Sequence, residues 1–307
     1  MSVNPDPVRL TTAASTRRSD AMSGNLLGIV SMLTWAAGFP AAEALSNSWP
    51  PVALITVRLA LATCILVVVW ALLEGPRRVL TARWGRGALV GSFSFGLGAY
   101  LLLQAQVLTD PVTVALIASS APLAATLIEL AQRSRRLTRR FCLGMALSVS
   151  GGIVATSALA PAQLGAGAAC AVVSVFLFSW GSMATVRDFP ELTPMGRSAI
   201  TLGGGTMLMV VVLLGSALAG IDVLPAAALD GAQVSNLLIY ALAGMALSQA
   251  MWIAAVGRLG VAMASFHLNV APFYVMLILL ALGAAWSWPQ AIGALIVGCG
   301  VVIAQRA

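Results

Sequence analysis

Residues Val261–Ala281 read VAMASFHLNVAPFYVMLILLA, an uncharged apolar stretch about as long as a helix that crosses a bilayer. The stretch holds the only histidine of the chain, His267, followed by Asn269 and Pro272. Proline removes a backbone donor and frees a carbonyl one turn earlier. Lipid tolerates such a break only where the freed group finds a partner or a water-filled cavity. The pattern therefore predicts an interrupted helix that faces a cavity.

A second stretch repeats this pattern earlier in the chain. Residues Val112–Glu129 read VTVALIASSAPLAATLIE, and a shift of 150 residues aligns Ser119 with Asn269 and Pro122 with Pro272. Interrupted apolar helices at matching places in two halves are typical of a transporter's binding site. The pair predicts helix breaks at both prolines and a substrate site beside them.

The composition indicates an all-α polytopic membrane protein. Of the 307 residues, 60% are hydrophobic and only 9% are charged, whereas a soluble domain carries about 25% charged residues. A transmembrane barrel would instead alternate over segments of about ten residues. Ten apolar segments of spanning length are expected, at Gly24–Leu45, Pro51–Leu73, Gly85–Leu108, Pro111–Ala131, Thr138–Leu159, Gly165–Arg187, Pro194–Ala219, Val234–Val256, Val261–Leu282 and Pro289–Gln305.

The ten segments fall into two related sets of five. LGMALSVSGGIVA (Leu143–Ala155) resembles IGALIVGCGVVIA (Ile292–Ala304) at an offset of 149, and an offset of 143 aligns Ser31 with Ser174. Because five is odd, the second set enters the membrane from the opposite side, as in an inverted-topology duplication. We expect a solvated cytoplasmic tail at residues 1–23 and five-helix repeats at 24–159 and 165–305. The recurring glycines of the fifth and tenth segments indicate close helix packing, at a seam of the bundle or a dimer face.

The basic residues predict the orientation. All 17 are arginine, and sixteen lie in the tail, in alternate connections, at adjoining helix ends or at the C-terminus. The intervening connections carry Glu43, Asp110, Asp222 and Asp230, and no Lys or Arg. The positive-inside rule then places both termini on the cytoplasmic side of the membrane. We expect that membrane to be a bacterial-type inner membrane. The net charge of +7 is thereby explained by topology and by attraction to anionic lipid, without nucleic acid.

The arrangement resembles the EamA-type drug/metabolite transporter superfamily. The resemblance rests on the ten spans, the duplicated half, the W-x-x-G-F motif at Trp35–Phe39 and the proline motifs SAP and VAP in spans four and nine. Within that superfamily the chain is most similar to the YddG-type exporters of aromatic and other neutral amino acids. The resemblance implies a secondary transporter that works by alternating access around a central cavity. The family's acidic L-G-E turn after spans four and nine is absent here, near Gln132 and Ala285–Trp286.

Candidate substrate-binding residues follow from the needs of a zwitterion, which are an anchor for the carboxylate, an acceptor for the ammonium and an apolar wall. Arg58 is interpreted either as an anion anchor or as a structural partner of Glu43. His267 either lines the cavity or makes a helix-to-helix hydrogen bond, because a neutral imidazole is both donor and acceptor. The full set of predicted site residues is His267, Asn269, Ser119, Gln249, Trp252, Tyr100, Trp35, Trp180 and Arg58, with helix breaks at Pro122 and Pro272.

Other function classes fit the sequence less well. A cationic-drug exporter needs a carboxylate within the membrane, and a carrier of phosphorylated sugars needs several basic residues there. A multidrug exporter or an exporter of other metabolites, such as nucleosides or sugars, in the same superfamily remains an alternative, and an intramembrane enzyme is a less favoured one. No nucleophile elbow, Walker A or HExxH motif occurs. We expect no enzyme activity, cofactor or metal, a small molecule and membrane lipid as partners, and no requirement for an oligomer.

Overall fold

The computed structural model describes residues 7–131, 138–155, 161–226, 229–259 and 264–305, and its regular elements in these ranges are all helices. Four of the arginines on which the predicted orientation rests lie outside the described residues, namely Arg133, Arg135, Arg136 and Arg306. The start of the ninth predicted segment also lies outside them. The helix that holds the first segment begins at Pro7, so part of the predicted tail is helical.

Ten helices that we label α1 to α10 correspond to the ten predicted segments. The first five are α1 (Pro7–Ser46), α2 (Pro51–Glu74), α3 (Trp84–Leu108), α4 (Pro111–Ala118 continued by Ala121–Ala131) and α5 (Arg139–Ala155). The second five are α6 (Pro161–Asp188), α7 (Pro194–Leu218), α8 (Gly231–Leu259), α9 (Ser265–Ala281) and α10 (Trp288–Gln305). A short helix, Pro76–Leu80, lies between α2 and α3.

Seven of these helices are long and apolar enough to cross a membrane, namely α1 to α4 and α6 to α8, and α9 and α10 are shorter apolar helices. Large apolar side chains such as Leu72, Val211 and Ile153 are exposed on the outer surface. An apolar exterior of this extent suits lipid rather than water. The chain is therefore an all-helical polytopic membrane protein.

Local sequence explains where the helices begin and end. The Asp110 carboxylate accepts hydrogen bonds from the backbone amides of Val112 and Thr113, each at 2.9 Å, and so caps α4. Asp230 caps α8 in the same way through the amide of Gln233, because the first amides of a helix have no partner within it. After α2, Gly75 adopts φ +89°, a left-handed conformation that glycine accepts without steric cost.

The helices pack in four main pairs, α1 with α8, α2 with α7, α3 with α6 and α5 with α10. Small residues allow the closest approaches. A Cβ atom placed on Gly151 of α5 would lie 2.7 Å from the carbonyl oxygen of Gly293 on α10, and one on Gly300 would lie 2.6 Å from that of Gly144. The predicted glycine seam is thus an internal α5–α10 contact.

Four of the helices depart from regular α geometry. Helix α3 contains a π-helical segment at Ser92–Leu97, and α8 contains one at Ile239–Leu247. Helix α4 is interrupted by a turn at residues 119–120, and α9 opens with a 3₁₀ segment, Ser265–Val270, before Ala271 and Pro272. Segments of π-helix are rare and are frequent at functional sites.

Candidate functional site

A cavity of about 700 Å³, counted with the open space at its mouth, lies among α1, α2, α3, α4, α6, α8 and α9. Its polar lining consists of Ser31, Arg58, Ser94, Ser174, Ser248 and Gln249. The remainder of the wall is apolar or aromatic, and it includes Met32, Trp35, Phe95, Leu102, Phe178, Met245, Trp252 and Leu268.

Arg58 brings a buried positive charge to this cavity. Its side chain is only 4% exposed. Nε donates to the carbonyl oxygen of Tyr240 (3.1 Å) and Nη2 to that of Gly244 (2.9 Å), and Cζ lies 3.7 Å from the centre of the Tyr240 ring. Glu43, the alternative partner considered from the sequence, is exposed. Among the described residues no carboxylate forms an ion pair with Arg58.

The π-helical segment of α8 supplies both carbonyls that hold Arg58. Tyr240 and Gly244 lie within Ile239–Leu247. A π-helical turn bonds each amide five residues back instead of four, and here two carbonyls of the segment also accept hydrogen bonds from the Arg58 side chain. Ser31 of α1 likewise donates to the carbonyl of Ser248 (2.8 Å), directly after this segment.

Gln249 provides a second polar group. Its side chain is 4% exposed, and its Nε2 has no hydrogen-bond partner among the described residues. A buried donor without a partner costs about 1–3 kcal/mol, and most such groups in native proteins are paired. Because Gln249 lines the cavity, a bound molecule is the natural partner for this donor.

Aromatic rings shape the apolar wall. The Phe178 ring lies 5.9 Å from that of Phe95 and 6.0 Å from that of Trp252. Trp252 is fixed by a hydrogen bond from Nε1 to the Ser182 hydroxyl (3.2 Å). Trp35 packs edge-on against Phe39, with ring centroids 4.8 Å apart. Such a wall suits a ligand with an aromatic or branched apolar body.

The sequence model of the EamA-like transporter family matches residues 22–157. That part of the chain, which contains the first five predicted segments up to residue 157, is therefore similar to members of this family. The resemblance deduced from the sequence is thereby confirmed at the level of the superfamily. Members of this family are membrane transporters of small molecules, in agreement with the apolar helices and the central cavity.

A solved crystal structure superposes on 92% of this chain and 97% of its own, with a TM-score of 0.69 and 19% sequence identity. It is described only as a "Crystal structure of protein", and at this identity it shows the shared fold alone. It is one of 25 matching solved chains. No curated protein matches the sequence significantly.

The cavity brings together four of the nine predicted site residues. Trp35, Arg58, Gln249 and Trp252 line it. The other five do not, although Ala118 and Ala121 beside the α4 turn and Leu268 of α9 do. The two proline-containing interruptions therefore approach the cavity through small or apolar residues.

Each of the five remaining residues lies apart from the cavity. Ser119 Oγ donates to the carbonyl of Leu116 in its own helix (2.7 Å), and the Tyr100 hydroxyl accepts from Gln104 Nε2 (2.8 Å). His267 Nδ1 is 3.0 Å from the carbonyl oxygen of Ala264. The ring of His267 also packs against Gly28 of α1. Asn269 and Trp180 are half-buried, and the buried Oδ1 of Asn269 has no partner among the described residues.

The sequence prediction missed the serines and several apolar residues of the wall. Ser31 and Ser174 aligned with each other under the 143-residue offset, which was a usable signal for paired positions in α1 and α6. Ser94 and Ser248 had no such signal, because the π-helical segments that place them leave no mark in an apolar sequence. Phe95, Phe178 and Met245 were indistinguishable from packing residues.

A smaller cavity of about 250 Å³ adjoins the main one. It shares Trp35, Arg58 and Leu102 with the main cavity and is otherwise lined by Gly38, Phe39, Leu103, Gln106 and Tyr240. Gln106 is fixed there by a hydrogen bond from Nε2 to the carbonyl of Phe39 (2.7 Å). Arg58 therefore lines both spaces.

Proposed function

We propose that this protein is an inner-membrane exporter of small neutral or aromatic amino acids that works by alternating access around the central cavity. The observation that carries the proposal is the cavity itself, whose lining combines a buried arginine, an amide donor that has no partner among the described residues, and several aromatic rings. A carboxylate and an apolar side chain on the same small molecule would complement these two parts.

An inverted repeat of two five-helix units, 24–159 and 165–305, accounts for the hydrogen bonds around the cavity. Ser31 Oγ donates to the carbonyl of Ser248 (2.8 Å), and Ser174 Oγ donates to that of Gly98 (2.7 Å). The offset of 143 converts Ser31 into Ser174, and the offset of 150 converts Gly98 into Ser248. The two bonds are therefore equivalents of each other, as a pseudo-two-fold axis requires.

Contacts on and near the proposed axis also occur in equivalent positions of the two repeats. The hydroxyls of Thr63 and Thr206, which are equivalent under the 143-residue offset, lie 2.9 Å apart. A residue meets its own equivalent only at a two-fold axis, as in an isologous interface. The close contacts of Gly151 with Gly293 and of Gly144 with Gly300 are likewise exchanged by the offset of 149. These reciprocal contacts support crossing of the membrane by all ten helices.

Polar contacts at the two ends of the bundle suit alternating access. At the arginine-bearing end, Arg83 Nη2 lies 2.9 Å from Glu191 Oε1, and Arg86 Nη2 lies 2.5 Å from Asp188 Oδ2. At the opposite end, Gln290 Nε2 donates to Asp110 Oδ1 (3.0 Å). We propose that rocking of one repeat against the other opens these two ends in turn, with the arginine-bearing end in the cytoplasm.

The charges around the cavity favour this substrate class over the alternatives. No Asp or Glu is among the residues that line it, which disfavours organic cations as substrates. Arg58 is the single basic residue in the lining, fewer than a phosphorylated sugar would require. The binding residues proposed for the exporter are accordingly Trp35, Arg58, Gln249 and Trp252.

Transport by the purified protein in liposomes tests the proposal. Vesicles that contain the protein and are loaded with unlabelled phenylalanine, leucine or alanine should exchange it for the labelled amino acid faster than protein-free vesicles. The rate of exchange should saturate at high amino-acid concentration. Two further sets of the same vesicles should be loaded with a cationic dye or with a sugar phosphate in place of the amino acid. Exchange of either of these, together with no exchange of any amino acid, would contradict the proposed substrate class.

A further inference from the structure

We propose that Arg58 and Gln249 form a carboxylate-binding subsite, so that the transporter recognises the carboxylate of its substrate and does not require an ammonium group. This inference rests on the proposed function and specifies which part of the substrate is read. Such a subsite has three requirements. One edge of the Arg58 guanidinium must be free to bind a ligand, the packing of the helices must not depend on the charge of Arg58, and a second hydrogen-bond donor must line the same cavity.

The guanidinium of Arg58 has a free edge because its two observed bonds use one side. Nε–H and one N–H of Nη2 point to the carbonyls of Tyr240 and Gly244. A guanidinium has five N–H donors in a fixed plane, so the edge formed by Nη1 and Nη2 is left for a ligand. Two parallel bonds from that edge match the two oxygens of a carboxylate.

The equivalent place in the other half shows that the scaffold needs no charge there. The offset of 143 aligns Arg58 of α2 with Thr201 of α7. Helix α7 packs against the π-helical segment of α3 as α2 packs against that of α8. Thr201 is buried, its hydroxyl donates to the carbonyl of Arg197 in its own helix (2.8 Å), and its carbonyl closely approaches Gly91. The same helix contact thus forms with a neutral residue in one half and with a buried cation in the other.

A buried cation that the helix contact does not require needs another explanation. Burial of a charge without a counter-charge costs several kcal/mol, and ionisable residues within membrane spans commonly mark a substrate path. An anionic group of the substrate would supply the missing counter-charge each time the site is filled.

Gln249 supplies the second donor. Its unpaired Nε2 and the Arg58 guanidinium line the same cavity, and α8 carries both Gln249 and the two carbonyls that orient Arg58. The remaining polar groups of the lining are the serine hydroxyls. Ser31, Ser174 and Ser248 donate to backbone carbonyls, which leaves only their oxygen lone pairs to accept from an ammonium. The lining thus offers a charged partner for a carboxylate and only neutral acceptors for an ammonium.

Four related compounds test which group is read. They are phenylalanine, 3-phenylpropionate (no ammonium), phenylalaninamide (no carboxylate) and phenethylamine (no carboxylate). Binding to the purified wild-type protein in detergent is measured for each compound by competition with labelled phenylalanine and by thermal shift. We expect 3-phenylpropionate to bind and the two compounds without a carboxylate to bind about tenfold or more weakly, because a charge-assisted hydrogen bond is lost.

Two variants assign this preference to residues. Arg58→Thr copies the neutral residue of the other half, so the helix contact has a native precedent, and we expect it to remove the preference for a carboxylate. Gln249→Glu places a carboxylate in the cavity. It should weaken the binding of 3-phenylpropionate and strengthen the binding of phenethylamine. Such an inversion of preference cannot come from misfolding. Arg258→Gln, at an exposed arginine of α8, and Gln104→Met, outside the cavity, are the matched controls and should keep the wild-type order.

The outcomes separate this inference from the proposed function. Equal binding of phenylalanine and its amide by the wild type would overturn the carboxylate subsite and leave the amino-acid exporter intact. An unchanged preference in both Arg58→Thr and Gln249→Glu would overturn the assignment to these residues. Failure of all four compounds to bind would overturn the amino-acid proposal together with the subsite.

Discussion

The two kinds of helix irregularity in this protein have different relations to the cavity. At the proline-containing break of α4, Ser119 and Ser120 donate back to carbonyls of their own helix. At the π-helical segment of α8, carbonyls accept instead from Arg58 of α2 and, directly after it, from Ser31 of α1. The two serines at the α4 break thus bond within their own helix, whereas carbonyls of the α8 segment accept from side chains of two other helices as well as from Ser248 of α8 itself. The comparison indicates that the residues that could bind substrate are organised by the π-helical segments, while the proline breaks supply the adjoining wall.

The largest expected effect concerns the inverted relation between α3 and α8, on which this comparison depends. In a background without cysteines, Leu224→Cys should react with a membrane-impermeant maleimide from outside intact cells, and Leu80→Cys should not. Both side chains are well exposed, at 71% and 81%, so a difference reports the side of the membrane. Labelling of Leu80→Cys from outside with protection of Leu224→Cys would reverse the topology.

A strong effect is expected where the π-helical segments meet α1 and α6. A Cβ atom on Gly244 would lie 2.9 Å from the Cα of Gly38, and one on Gly181 would lie 2.0 Å from the Cβ of Ser94. Gly244→Ala and Gly181→Ala should each destabilise the fold by about 1–3 kcal/mol through overpacking and should reduce transport. The measurement is thermal unfolding in detergent together with liposome exchange.

Gly257→Ala is the control for these two changes, because no heavy atom lies within 4 Å of its new Cβ. It lies on α8, like Gly244, and should leave both stability and transport near the wild-type values. Wild-type stability in all three variants would show that the close approaches at the π-helical segments do not constrain the bundle.

An intermediate effect is expected at the proline breaks. Pro272→Ala restores a backbone donor and favours continuation of the α9 helix through its 3₁₀ start. Transport should fall severalfold while the protein stays folded and inserted, because Leu268 would move relative to the cavity that it lines. Exchange assays on Pro122→Ala, Pro272→Ala and the double variant measure this. Unchanged exchange by all three would reduce both prolines to packing features.

The smallest effect is expected at His267. This is the only histidine of the chain, and it lies outside the cavity lining, with Nδ1 against the carbonyl of Ala264. Arginine stays protonated in proteins, so Arg58 cannot carry a proton on and off. We therefore expect a facilitator in which His267→Ala leaves exchange close to that of the wild type.

An imposed pH gradient without a substrate gradient tests this expectation in liposomes. The facilitator should accumulate no substrate. Accumulation by the wild type that His267→Ala abolishes, while Gln249→Leu weakens binding without abolishing coupling, would instead identify a proton-coupled exporter.

The sequence by itself determined the class of fold and the resemblance to a transporter family. Twenty-residue apolar runs can satisfy their backbone only as helices in lipid, and the proline motifs and W-x-x-G-F carried the resemblance that the family match confirmed. The sequence also supplied four residues of the cavity, Trp35, Arg58, Gln249 and Trp252. Charged and large polar residues are conspicuous in an apolar helix because they are costly there.

Only the tertiary structure decided which of the polar residues face one another. His267, Asn269 and Ser119 were as prominent in the sequence as Arg58, yet they pack elsewhere because helix rotation depends on neighbouring helices. The partner of Arg58 could not be read from the chain either, since Tyr240 and Gly244 hold it through backbone carbonyls, which every residue possesses. A π-helical turn shifts the register of all that follows by a fraction of a turn. That shift, which depends on packing rather than on residue type, acts on Ser248 and Gln249, which directly follow the π-helical segment of α8 and line the cavity.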